Sequence, residues 1–509
     1  MRLVRGRKTR TVDWGYTSAS GGRMAQSSIV FRAALAVALM IGFYVLAIIV
    51  AAFLFMVPWL QAYLLGRVFV QLSLASVISG CVIVWSVLPR PDRFNPPGPR
   101  LEATSQPELF QVIEAVARST GQPTPEDVYL IPDVNAWVAQ RGGMMGFGSR
   151  PVMGLGLSLL ELLSVAQLRA VLAHEFGHFH GGDTRLAPWV YKTRAAIGRT
   201  LAGLGERAKL VHIPFEIYGN FFLRVTHGVS RRQELNADAM AARVEGARAL
   251  AEGLKITHGA APAFAAYWQT EVAPLLQAGV LPPLADGLGR FVAAGTVSEK
   301  MKETVESDIR EGRSDPYDTH PPLRERLEAL GTPEEAAGPS PAAISLLRGV
   351  PELERALLRF GRVNVDRMRA VAWEDVGEQV LRPWYRSRAE AGSLALAGFV
   401  AERLPELAGR IVELDKALDT SGEVVAEGTR RQRGAWFLGV VLADALARAG
   451  WVIDSSPGRS VRLTHGQWCI EPFIEAQALV RGRTSPDEWR GRCEMWGIKA
   501  LVLAERPSP

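Results

Sequence analysis

The chain has 509 residues, of which 48% are apolar and 22% charged, and a formal net charge of +6. This excludes a disordered chain and a small disulfide scaffold, and leaves room for two or three domains with their own cores. The three cysteines (Cys81, Cys469, Cys493) match neither a disulfide framework nor a zinc ribbon, and no stretch interleaves basic and aromatic residues, so no nucleic-acid partner is expected.

After a basic segment, 1–32, two apolar runs come first. Ala33–Met56 (24 residues) and Val68–Leu88 (21 residues) carry no charge. At about 1.5 Å per helical residue, each covers the roughly 30 Å hydrocarbon core of a bilayer. Residues 33–88 therefore read as a transmembrane helix pair, with the lipid bilayer as a partner. Arg2, Arg5, Arg7, Lys8, Arg10 and Arg23 precede the first run, Arg90, Arg93 and Arg100 follow the second, and the turn between carries Arg67. Positive charge marks the cytoplasmic side, so both termini and the bulk of the chain are expected in the cytoplasm, on a multi-pass protein of the cell inner (plasma) membrane.

A proline-rich linker, 89–100, leads to a domain over 101–330. There Gln106–Thr120 has a helical pattern, and Asp127–Ile131 and Val152–Leu157 suit short strands. Ser164–His180 reads as a strong helix, because Ser164 and Gln167 form an S-x-x-Q capping box at its start. Ser230–Leu254 is a further helix, and Pro321-Pro322 suits the start of another, LRERLEAL.

The chemistry lies in His174-Glu175-Phe176-Gly177-His178. Residues four apart share one face of a helix, so His174 and His178 can grip a single ion. Glu175 is turned about 100° around the axis and reaches the water rather than the metal. This is the H-E-x-x-H arrangement of zinc peptidases, in which zinc activates a water and the glutamate serves as general base. A catalytic zinc needs a third protein ligand. Downstream, in SRRQELNAD, Glu234 and Asp238 again lie four apart. Glu234 suits the third ligand, and Asp238 suits a hydrogen bond that fixes a ligand histidine's tautomer. By spacing alone such a pair is usually a solvated helix face.

HEFGH, then SRRQELNAD, then Thr319-His320-Pro321-Pro322, together with LLELLSVAQLRAVLAHEFGH over 159–178, resemble the HtpX and CAAX prenyl protease family of zinc metallopeptidases. The resemblance covers roughly 102–330. It implies a zincin-type (gluzincin) domain with one zinc per chain on His174, His178 and Glu234, and Asp238 beside them. It further implies that His320 stabilises the oxyanion and that Asn135, in Val134-Asn135-Ala136, lies near the same site. The implied activity is that of a membrane-anchored zinc metalloendopeptidase, a hydrolase acting on membrane-associated polypeptides in membrane-protein quality control. The extended substrate is expected along Val152–Leu157, read as an edge strand. Charges interrupt 186–229, so no further span is expected there and an enclosed membrane chamber is not.

A second linker, 331–342, precedes a C-terminal region, 343–509, read as an α+β module of unassigned role. Its expected elements are helices over 353–379, 388–418 and 435–449 and strands over 461–463, 468–473 and 498–504. The fold class is thus α+β and mostly helical. The competing reading is a catalytically idle membrane scaffold that binds proteins through this module.

Overall fold

The computed structural model describes residues 19–88, 94–142, 148–178, 187–204, 209–312, 321–331, 339–418 and 425–504. Most of the N-terminal basic residues and part of each linker lie outside these ranges. The chain is α+β and mostly helical.

Helices α1 (Ala19–Leu65) and α2 (Val70–Val87) form a hairpin. Their segments Val37–Leu65 and Val70–Val87 are long and apolar enough to cross a membrane. The first continues through Pro58 to Leu65, past the Met56 limit expected from sequence. The Phe69 N–H donates to Gln61 Oε1 at 2.7 Å, so the turn supplies a partner for a donor that precedes the first helical turn of α2. Met40, Phe43, Ala47, Ala51 and Leu54 of α1 and Ile83 of α2 are buried, whereas Ile48 and Trp85 are 65% and 67% exposed. A soluble core helix would bury such side chains; an outward apolar surface of this extent suits lipid.

Two later helices, α6 (Ala187–Leu204) and α7 (Lys209–Glu245), dock on the hairpin. Ala196, Ile197, Leu204, Phe215 and Phe222 complete its apolar core. Arg199 donates to the Ser86 carbonyl at 3.1 and 3.3 Å, tying α6 to the last turn of α2. Among the described residues no third helix is long and apolar enough to span.

The next layer is a four-stranded sheet formed by β1 (Arg100–Leu101), β2 (Asp127–Ile131), β3 (Ala136–Arg141) and β4 (Arg150–Gly156), in the order β1-β2-β4-β3. β4 runs parallel to β2 and antiparallel to β3. Buried Asp127 pairs with Arg100 and Arg150, each at 2.9 Å, joining β1, β2 and β4. This corrects the expectation that Val152–Leu157 is the edge: β4 is central, and β1 and β3 are outermost. The reason is steric. A Cβ on Gly154 would meet the Trp137 ring at 2.4 Å, so the glycine admits a cross-strand tryptophan rather than leaving backbone open.

Against the sheet pack α3 (Pro107–Thr120), α4 (Leu157–Leu162), α5 (Val165–Gly177) and α8 (Ala247–Tyr267), around Leu109, Ile113, Met153, Leu155, Leu172 and Leu250. The expected helix over 230–254 is instead the end of α7 and the start of α8, because Gly246 adopts φ 93° and breaks the axis.

The described end of the second expected linker is stapled to α5. Val165 N–H donates to the Pro341 carbonyl (2.8 Å) and Ala166 N–H to Ser340 Oγ (3.0 Å). Beyond it, Leu358, Val365, Val371 and Trp373 share a core with Tyr267, Leu281 and Phe291. Residues from Tyr385 to Ala504 build their own core around the helix Glu427–Arg448 and a three-stranded sheet, Val452–Asp454, Arg462–His465 and Trp468–Ile470. The expected strand over 498–504 is reduced to a single bridge, Val400 to Val502.

Candidate metal centre

The capping box read from sequence is present. Gln167 N–H donates to Ser164 Oγ (3.3 Å) and Ser164 N–H to Gln167 Oε1 (2.9 Å), so donors at the start of α5 are satisfied. The helix buries Leu168, Leu172 and Phe176 and carries His174 and Glu175 in its last turn. His178 caps its end.

α7 crosses α5 where both side chains are minimal. A Cβ on Gly177 would fall 2.9 Å from Ala237 Cα and 3.0 Å from its Cβ. This close approach brings Glu234, one turn before Ala237, to the imidazoles. Glu234 Oε2 lies 3.5 Å from His174 Nε2, and Oε1 lies 3.6 Å from His178 Nε2. Two ligands at about 2.0–2.1 Å from a tetrahedral zinc are themselves about 3.3 Å apart, so these separations suit such an ion. The rings are T-shaped at 4.8 Å between centroids. Glu175 also falls in the cluster: ligand-type atoms of His174, Glu175 and His178 lie within 4.8 Å of one another. The borderline nitrogens with one carboxylate form a donor set that fits zinc.

Asp238 is almost fully buried and accepts from His174 Nδ1 at 2.8 Å. This leaves Nε2 to face Glu234 and His178, the tautomer a metal ligand requires. Burial works against charging His174, but the hydrogen bonds to Asp238 and Glu234 prevail and push it up to about 9. Burial likewise raises Asp238, and the hydrogen bonds from Arg326 and His174 overcome it and hold the carboxyl below its usual range.

Sequence reasoning passed over Arg326. It lies in the helix Leu323–Leu330 and holds Asp238 with two bonds, Nε to Oδ2 at 2.8 Å and Nη2 to Oδ1 at 2.7 Å. Its Nη2 is 3.3 and 3.4 Å from the two His174 ring nitrogens. Nearly equal distances put it along neither lone pair, so this contact is electrostatic packing rather than a hydrogen bond. The one sequence signal is position: Arg326 stands one helical turn after Pro322, behind the T-H-P-P run. Next to it, Glu325 pairs with Arg231 of α7.

His320 lies outside the described residues. Asn135 is exposed at the entry to β3, and its carbonyl accepts from Gly156 N–H at 2.9 Å. Three histidines away from the site have other roles: His212 faces Glu216, His258 pairs with Asp308, and His465 packs on Trp451.

A family model described as Peptidase family M48 matches residues 103–334. Among curated proteins, the chain is 25% identical over 249 residues to a Protease HtpX homolog of Methanocaldococcus jannaschii, covering 45% of this chain and 76% of that one. It is 28% identical over 210 residues to a Protease HtpX homolog of Acaryochloris marina, covering 36% of this chain and 66% of that one. One from Tropheryma whipplei is 30% identical over 101 residues, covering 19% of this chain and 33% of its own. No solved structure matches the chain. The matched segment, residues 103–334, contains the whole cluster from His174 to Arg326, and it is this segment that is similar to the HtpX-like metallopeptidases of peptidase family M48.

Proposed function

We propose that the protein is a membrane-anchored zinc endopeptidase, with one zinc per chain held by His174, His178 and Glu234. The observation that carries this reading is the meeting of α5 and α7, which sets a carboxylate from the later helix against two imidazoles of the earlier one. Bound zinc supplies a Lewis acid that brings the pKa of water to about 7 and polarises a carbonyl.

The chain's own residues do the rest. Glu175 takes the proton from the attacking water and returns it to the leaving amine. Asp238 keeps His174 in its ligand tautomer. His320, by the family resemblance, donates to the oxyanion, with Asn135 nearby. The substrate extends along β3, the one of the sheet's two outer strands that packs on α5. Pairing with an edge strand holds an internal stretch of polypeptide rather than a terminus, which favours endopeptidase cleavage.

On this reading the apolar hairpin anchors the chain in the plasma membrane, and the arginines that flank it support a cytoplasmic peptidase domain and cytoplasmic termini. A metal centre tethered by α7 to that hairpin is suited to membrane-associated polypeptides, which fits a role in membrane-protein quality control.

The test is direct. Detergent-purified protein should carry one zinc per chain and cleave casein at internal bonds. Glu175→Gln should keep the zinc and lose cleavage by several orders of magnitude. Zinc-replete protein that leaves casein intact would favour the scaffold reading, and sequential trimming from the N-terminus would indicate an aminopeptidase.

A further inference from the structure

We infer that Arg326 is a positioning residue for the metal centre: by fixing Asp238 it fixes His174, and so it governs how firmly the ion is retained. This rests on the zinc-peptidase reading above and extends it to a residue that touches neither metal nor substrate.

Three observations point this way. First, Arg326 is largely buried and grips Asp238 through a planar two-bond fork, Nε to Oδ2 and Nη2 to Oδ1, which sets the carboxylate plane as well as its place. One oxygen of that plane, Oδ1, is the acceptor for His174 Nδ1. Rotation of Asp238 would therefore swing the imidazole off its line to Glu234. Second, Arg326 Nη1 lies 4.0 Å from Glu234 Oε2, so one guanidinium faces both the third ligand and the carboxylate behind the first. Third, Arg326 contributes to the charge balance. Glu175, Glu234 and Asp238 contribute three negative charges, and the Arg326 guanidinium sets a positive charge against Asp238, the most deeply buried of the three, so its removal leaves a buried carboxylate without that partner.

The residue arrives from a separate element. The helix Leu323–Leu330 lies along α7 and is held there by two ion pairs, Arg231 to Glu325 and Asp238 to Arg326. The first lies two helical turns of α7 away from the second. It joins α7 to the helix Leu323–Leu330 through Glu325 and Arg231, neither of which is a proposed ligand. The two pairs separate docking of the helix from positioning of the ligand.

The experiment uses the full chain in detergent, as Arg326→Gln, Arg326→Lys, Asp238→Asn, the double variant Arg326→Gln/Asp238→Asn, and Arg231→Gln. Zinc loss to excess chelator is timed, and the visible absorption of each protein loaded with Co2+ is recorded. Arg326→Gln should lose zinc about 10–100-fold faster than wild type, the usual effect of removing an outer partner of a ligand histidine. Its Co2+ spectrum should shift at saturating metal. Arg326→Lys, which keeps the charge without the fork, should fall between. The double variant should be no worse than Asp238→Asn alone, since Arg326 acts through Asp238. Arg231→Gln should match wild type in both readouts.

Equal zinc-loss rates for Arg326→Gln and wild type, or equal acceleration by Arg231→Gln, would overturn the inference while leaving a zinc-loaded, casein-cleaving wild type intact. A wild type that binds neither zinc nor Co2+ would remove the underlying reading and the inference together. If Arg326→Gln does not fold, Arg326→Lys and the Asp238→Asn spectrum decide in its place.

Discussion

At Gly177 the two helices that carry the proposed metal ligands come closer than a methyl group allows: an added Cβ would stand 2.9 Å from Ala237 Cα. Gly177 immediately precedes His178, and Ala237 follows Glu234 by one turn, so any separation of α5 from α7 is delivered to the ligands. Gly177→Ala is expected to cost about 1–3 kcal/mol, the usual cost of overpacking, and to lower zinc affinity measurably. Ala237→Gly in the same chain should restore part of both by removing the opposing methyl. Thermal melting and zinc titration check this, and unchanged affinity in Gly177→Ala would show that the crossing does not set the site. At this scale the sequence is informative where chemistry is local. His174, Glu175 and His178 are readable because one helix turn brings them together. Glu234 is readable through the order of motifs, since spacing alone leaves it on an ordinary polar face. Arg326 is not readable, because it meets Asp238 across 88 residues and His174 across 152, and a charged residue in a short helix looks solvated until its partner is known.

Among the elements, β3 is the one whose role changes most between sequence and structure. The glycines of β4 suggest open backbone, but Gly154 lies under Trp137, and a Cβ on Gly156 would strike the Asp133 carbonyl. Both exist so that β4 can be crowded from either side. Among the described residues, β3 pairs on one side only. Gly156 N–H bonds to the Asn135 carbonyl, and Ala136 faces Leu155. In an antiparallel ladder this directs the N–H and C=O of Ala136, Val138 and Gln140 away from β4. Gln140→Pro removes one outward donor at an exposed position, where an edge strand tolerates proline. Its kcat/KM on casein-derived peptides should fall about tenfold, the loss of one main-chain hydrogen bond of roughly 1–1.5 kcal/mol. Zinc content should not change. Wild-type kcat/KM in this variant would remove β3 as the substrate edge. Elements fixed by local signals came through well. The Ser164 and Gln167 box and the Asp127–Ile131 strand are where the pattern puts them, whereas the start of the long α7 is not legible because no motif marks it before Ser230.

Taken as a whole, the molecule joins an apolar hairpin, a catalytic domain and a C-terminal body through shared cores, and the joint beside the catalytic domain contains buried acid. Glu161, at the end of α4, approaches Gly289 of the helix Leu284–Ala293 so closely that a Cβ there would meet its carboxylate. Glu354, from the helix Val350–Phe360, accepts from Ala285 N–H at 2.8 Å at the start of that same helix. Burial, and then the charges of Asp286 and Glu354, push Glu161 up to about 7. Composition and periodicity do not disclose this, because the three segments are far apart in the chain and each acid alone reads as a surface residue. The sign follows from linkage. A carboxyl that binds its proton more tightly when folded contributes stability that is complete below its ordinary value of about 4.5, and that is lost as pH rises through about 7. Zinc-saturated wild-type protein should therefore lose melting temperature between pH 6 and 8.5. Glu161→Gln, which keeps the shape of the neutral acid and cannot ionise, should lose less, so the gap between the two widens with pH in the variant's favour. Parallel melting curves across that range would mean that Glu161 does not carry its charge into this joint.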